Sequence, residues 1–233
     1  MQTSLLDDAA TDLATALDAE GHAVLPGLLA PAQCEALAAL YPQDALYRST
    51  VVMARHGFGR GEYRYFAYPL PPLLAQLRQA LYPQLVPIAN RWNQRLGRAL
   101  RYPATLDAFL ARCHRAGQTR PTPLILQYGA GDYNCLHQDL YGEHVFPLQV
   151  AILLSRPGVD FTGGEFVMTE SRPGVQHAHV VPLAQGDAVV FAVHQRPGVG
   201  PTGRMRRLEM RHGVSRLLGG RRHTVGLIFH DAA

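Results

Sequence analysis

The chain has 233 residues, 47% of them apolar and 17% charged, with a formal net charge of +4. That balance supplies a core and excludes disorder as the dominant state, and no apolar run approaches the ~18 residues a spanning helix needs. The three cysteines stand far apart with no CxxC pair, against a zinc ribbon or disulfide framework, and acids open the chain where a secretory signal would carry base, so the cytoplasm is the expected setting.

Taken in order, the first half of the chain reads as mostly helical. Leu5 to Leu17 is amphipathic with acids early, Gly21 to Leu25 is a short extended stretch, and Pro31 opens a helix running to Tyr41. Val51 to Tyr68 is rich in glycine and aromatics and reads as a loop or hairpin. Leu73 to Leu96 has apolar residues at helical spacing, with Pro83 and Pro87 expected to kink or divide it; Asp107 to His114 gives a last short helix. From Pro123 the texture changes to short runs between turn signals: Leu124–Tyr128, Val145–Leu154, Glu165–Thr169, His179–Pro182, Ala188–Val193 and Thr224–His230 are predicted strands. Phe146, Leu148, Val150 and Ile152 share one face of the second. Many short strands at close spacing predict a mostly β, double-stranded β-helix (jelly-roll) core over 121–233, buttressed by a helical support region over 1–120 in one compact unit.

Within this core, Leu136-His-Gln-Asp139 carries the most chemistry. Residues i and i+2 of a strand project from one face, so His137 and Asp139 point the same way and can take adjacent positions on an octahedral ion. An HxD alone is a weak signal, and an exposed strand pair is its bland reading. His212, flanked by a strand-like run and a return strand, is the best third ligand. Two histidines and one carboxylate leave open positions suited to non-haem Fe(II) that activates O2. Ten residues after His212 lies Arg222. An interior arginine needs a resident anion, which the far carboxylate of 2-oxoglutarate would supply. Tyr128, nine residues before His137, can add a hydroxyl to the same cosubstrate, or pack as a core tyrosine. Arg221 competes with Arg222 for this role, since alternation puts them on opposite faces.

The stretch from Pro121 to Asp231 resembles the Fe(II)/2-oxoglutarate-dependent dioxygenases. The features that carry the resemblance are Tyr128-Gly-Ala-Gly-Asp-Tyr leading into His137-Gln-Asp139, then Gly163-Gly-Glu-Phe, Pro182-Leu-Ala-Gln-Gly-Asp-Ala-Val-Val-Phe, and His212 followed by Arg222. The spacing from His212 to Arg222 is similar to the prolyl-hydroxylase branch. The spacing from tyrosine to HQD is similar to the AlkB-type nucleic-acid demethylases, although Leu126 stands where that branch often has asparagine. The whole chain, through RHGFGRGEYRYFAYPLP and RHTVGLIFHDA, also resembles a bacterial oxygenase family with a proposed role in damaged-DNA repair. The resemblance implies metal ligation by His137, Asp139 and His212, cosubstrate binding by Arg222 and Tyr128 (Arg222 over Arg221), and hydroxylation of a substrate C–H bond.

Other motifs carry weaker expectations. Arg196 to Arg222 holds eight arginines against Glu209 alone, either a basic lip that tracks phosphates or a solvated loop. The run Arg55 to Phe66 can stack a base, line a peptide groove, or pack helices onto the barrel. His177 and His179 read as a solvated strand, and Gly163 and Gly164 as turn residues. The expected substrate is an alkylated nucleic-acid base; a protein side chain such as proline is the alternative, and a non-catalytic cupin-like metal-binding module a third.

Overall fold

The structure is a computed structural model that describes residues 4–200 and 203–233, with side chains from residue 12 onward. The acidic start of the chain and Leu5 of the expected amphipathic face fall outside the described residues and side chains. In chain order the elements are α1 (Ser4–Glu20), β1 (His22–Leu25), α2 (Pro31–Ala38), β2 (Tyr47–Val52), β3 (Gly59–Arg60), β4 (Glu62–Phe66), α3 (Pro72–Arg95) and α4 (Leu106–Arg115). The second half supplies β5 (Leu124–Gly129), β6 (Tyr133–His137), β7 (Leu148–Leu153), β8 (Phe161–Gly163), β9 (Phe166–Arg172) and β10 (Val175–Val181). It continues with β11 (Ala188–Ala192), β12 (Gln195–Val199), β13 (Met205–Val214) and β14 (Leu217–Leu227).

Two antiparallel sheets face each other. The larger runs β1-β11-β7-β14-β5-β4-β2 with β8 beside β14; the smaller runs β10-β9-β13-β6-β3 with β12 beside β13. Alternation sorts the strands of the larger sheet. Leu124, Leu126 and Tyr128 of β5 line a cavity between the sheets, as do Arg222, Thr224 and Gly226 of β14, whereas Ile125, Val225 and Leu227 pack in the core shared with the helices. The six residues of β7 are all buried, which matches its apolar texture apart from Gln149.

The helical half of the chain also contributes strands to both sheets. β1 pairs with β11, β4 with β5, and β3 with β6. The glycine- and aromatic-rich segment is a hairpin, but its first strand starts earlier than expected, at Tyr47. Helix α2 stops at Ala38 rather than Tyr41, because Pro42 disfavours helical backbone in the residue before it. Pro83 and Pro87, expected to kink or divide helix α3, do not divide it; the helix runs to Arg95. The two prolines are four residues apart and both exposed, so the helical hydrogen bonds they forfeit lie on a solvent-facing side. Its opposite face buries Leu74, Leu81, Leu85, Ile88 and Trp92, and the Trp92 indole donates to Asp18 of α1 at 2.6 Å. Strand β14 begins at Leu217 instead of Thr224. A bulge at Leu218 shifts its register against β8, and Gly219 and Gly220 then pair with Thr162 and Phe161; Gly220 has φ +80°, and a Cβ there would sit 2.1 Å from the Asp160 carbonyl oxygen.

Candidate metal centre and cavity

Strand pairing sets the positions of the predicted ligands. β13 lies between β6 and β9, and its register places His212 directly opposite His137. The two imidazoles have ring centroids 4.2 Å apart. Asp139 follows the end of β6, and its carboxylate reaches both rings: Oδ1 is 3.4 Å from His137 Nε2, and Oδ2 is 3.5 Å from His212 Nε2. One ligand atom from each residue lies within 4.8 Å of the others, and this is the only such group among the described residues. The Nδ1–H of His137 donates to the Cys135 carbonyl at 2.8 Å, which leaves Nε2 as the lone-pair nitrogen facing Asp139.

The electrostatics suit a cation. Burial alone would raise the Asp139 carboxyl, but the two imidazoles hold it well below the usual carboxylate range. Burial also opposes charge on His137, yet the Asp139 carboxylate carries its pKa above the ordinary histidine value. His212 is lowered by burial and by the neighbouring His137. Its ring is packed between Phe166 and Phe191, with centroids 6.0 and 4.5 Å away. Sequence reasoning missed Tyr141, whose hydroxyl donates to Asp139 Oδ1 at 2.8 Å. Strand alternation gives no signal for it, because β6 ends at His137 and both Asp139 and Tyr141 lie beyond that end.

Deeper in the same cavity, Arg222 is 1% exposed and faces inward, while Arg221 is exposed to solvent. The register Arg222↔Tyr128 brings the guanidinium beside the tyrosine ring, 5.8 Å from its centroid. Nη1 donates to the Thr224 hydroxyl; Nε has no partner, and neither does the buried Tyr128 hydroxyl. No carboxylate lies within ion-pairing distance of Arg222 among the described residues. Burial pushes its pKa down to about 10, opposed by Tyr128 and by the more distant Glu165. Such a cationic pocket, with unpartnered donors, fits an incoming anion. Gly164 permits the approach: at φ +67°, an added Cβ would lie 2.4 Å from Leu217 Cδ1 and 3.2 Å from Arg222 Cδ. Gly163 and Gly164 therefore do more than turn the chain. Thr224 was also missed, though it shares the strand face of Arg222.

The cavity holds about 200 Å3 between these two poles, walled by Leu124, Leu126, Val214 and the tyrosines Tyr63, Tyr65 and Tyr141. The expected basic lip is not part of it. Of the eight arginines from Arg196 to Arg222, Arg222 alone lines the cavity; Arg204, Arg206, Arg207, Arg211, Arg216 and Arg221 are exposed elsewhere. Arg196 is buried against Glu170 and donates to the carbonyls of Asp18 and Ala19, closing the end of α1. The HxH pair is only partly solvated: His177 is exposed, 3.2 Å from Glu170, and His179 is half-buried beside His22.

Residues 61–232 match the Oxygenase-NA family, described as an oxygenase catalysing oxidative methylation of damaged DNA. The chain belongs to this family. It is 51% identical over 169 residues to the Mycobacterium tuberculosis uncharacterized proteins MT2286 and Rv2227, a match covering 72% of each chain. A Pseudomonas putida prolyl-4-hydroxylase superposes with a TM-score of 0.56 at 18% identity, covering 96% of this chain and 99% of that one. A 2OG-Fe(II) oxygenase from Burkholderia pseudomallei gives 0.57 at 17% identity, covering 96% and 92%. The fold is thus the jelly roll of the 2-oxoglutarate oxygenases. Family membership, this fold and the His–Asp–His cluster together make the chain an Fe(II)- and 2-oxoglutarate-dependent oxygenase. No described helix is long and apolar enough to cross a membrane.

Proposed function

We propose that this oxygenase hydroxylates an alkyl carbon on a damaged nucleic-acid base, with His137, Asp139 and His212 holding Fe(II) and Arg222 holding the cosubstrate. The observation that carries this reading is the pairing of two sites in one cavity: three converging ligand atoms at one pole and a buried, carboxylate-free guanidinium at the other. Bound Fe(II) with 2-oxoglutarate supplies oxidation of an unactivated C–H bond by O2. The side chains perform the rest. Arg222, with Thr224 and the Tyr128 hydroxyl, binds the far carboxylate of 2-oxoglutarate and so directs its keto-acid end toward the cluster. Asp139 and the two histidines would hold the ion through one ligand atom each. Phe166 and Phe191 fix His212, and the apolar wall of Leu124, Leu126 and Val214 excludes bulk water from the reacting carbon.

For an N-alkyl base, hydroxylation gives a carbinol that releases an aldehyde, so the modified base is restored. The family description supports DNA as the polymer, and the net positive charge is compatible with it. Purified protein incubated with Fe(II), 2-oxoglutarate and an N-methylated oligonucleotide is expected to yield succinate and formaldehyde in equal amounts. His137→Ala and Asp139→Ala should abolish both products; unchanged turnover in either variant removes the iron assignment. Hydroxylation of a proline-containing peptide, with no formaldehyde from the oligonucleotide, would transfer the substrate assignment to protein.

A further inference from the structure

The hairpin between β2 and β4 carries a feature that the metal centre does not use. Phe58 stands at the cavity mouth with 47% of its surface exposed, and its ring stacks on His56 at 5.4 Å with planes 22° apart. An exposed phenyl ring on a loose loop would be unremarkable; this loop is tied down at every step. Met53, fully buried, accepts from the backbone N–H of Phe58 at 3.2 Å and donates to Gly61 at 3.0 Å. The Phe58 carbonyl accepts from the Cys135 N–H at 2.9 Å, and β3 pairs Gly59 with Asn134, on the strand that carries His137. Gly59 and Gly61 have φ +121° and +117°, and a Cβ on Gly59 would lie 2.3 Å from the Tyr133 carbonyl oxygen, so only glycine permits this close docking.

Resting on the reading above, we propose that Phe58, backed by His56, is the stacking platform for an unpaired base presented to the metal centre. The platform is rigid, so little ordering cost accompanies binding, and one aromatic face is open to solvent. Its surroundings match a polyanionic strand. The stretch from Met53 to Gly61 holds Arg55, His56 and Arg60 and no acid. Arg55 is exposed; Arg60 is 62% exposed and shares part of its charge with Asp132 at 3.6 Å. Base stacking is indifferent to sequence and needs an unstacked base, so the platform selects single strands, or lesions that leave the helix easily.

The test is fluorescence anisotropy with a labelled oligothymidylate and the matching duplex, using the full chain over a series of salt concentrations. The single strand is expected to bind more tightly than the duplex. Phe58→Leu, which keeps the apolar bulk and loses the flat face, should weaken single-strand binding about tenfold with an unchanged salt slope, and Phe58→Tyr should restore it. Arg55→Ala should lower the slope by about one. Thermal midpoints within error of the parent establish that the variants are folded. Equal binding of parent and Phe58→Leu, or equal binding of duplex and single strand, overturns the platform, as does Phe58-dependent capture of a proline-rich peptide in place of the oligonucleotide. Succinate formation by the parent protein is measured alongside. Succinate with Phe58-indifferent binding defeats the platform alone, whereas no succinate defeats the oxygenase assignment beneath it.

Discussion

Arg196 and Arg222 are both buried, and they differ in what answers the charge. Arg196 meets Glu170 and two carbonyls at the end of α1, so every part of its fork is answered from within the chain. Arg78 is similar, bonded to Asp231 at 3.3 Å and to the Ile228 carbonyl at 2.9 Å. Arg222 has one hydroxyl and two aromatic rings, and no carboxylate. A buried guanidinium without an internal anion costs stability, and the cost is tolerated where an external anion repays it on binding. The first two hold the fold together; the third has no carboxylate partner among the described residues.

The comparison can be broken from either end. Glu170→Gln strands Arg196, and the expected result is a loss of about 3 kcal/mol in unfolding free energy by denaturant titration. Arg222→Met should leave stability in the absence of cosubstrate equal or higher, and raise the 2-oxoglutarate concentration for half-maximal succinate formation by about 30-fold. Equal stability losses in the two variants would erase the distinction. At the opposite pole, Tyr141→Phe removes the hydrogen bond to Asp139 and should weaken metal binding by about tenfold, read by Co(II) titration of the visible spectrum, while the thermal midpoint of the metal-free protein stays within a few degrees. A further effect concerns acid. Burial pushes His230 down to about 4, and its Nδ1 accepts from the Phe146 N–H at 3.2 Å, which requires the neutral ring. Between about pH 6.5 and 4 the unfolded chain takes up this proton and the folded chain does not, so stability falls as pH drops through that window, by roughly 3 kcal/mol. Replacing His230 with Asn should flatten this part of the stability profile.

Much of the centre was legible locally. The HxD spacing singled out His137 and Asp139, although Asp139 stands just past the end of β6, and the period of two on β14 carries Arg222 to Thr224. The choice of Arg222 over Arg221 was not local, because alternation only says that they differ. It is the pairing of Arg222 with Tyr128, past the bulge at Leu218, that turns one of them inward. The arginine-rich segment left two readings open for the same reason. Arg196 finds its partners 26 residues away in Glu170 and at the end of the first helix, distances over which composition carries no information.

By itself, the sequence determined the jelly-roll class, the HxD pair and the small set of residues able to join it, since strand periodicity and side-chain chemistry are properties of neighbours along the chain. Tertiary structure decided which histidine stands opposite His137, which arginine lacks an internal anion, and that Phe58 meets the cavity mouth. Those outcomes depend on the register between strands distant in sequence. Register is fixed by the whole buried face of a sheet, where a slip of one residue would exchange every inward side chain for its outward neighbour.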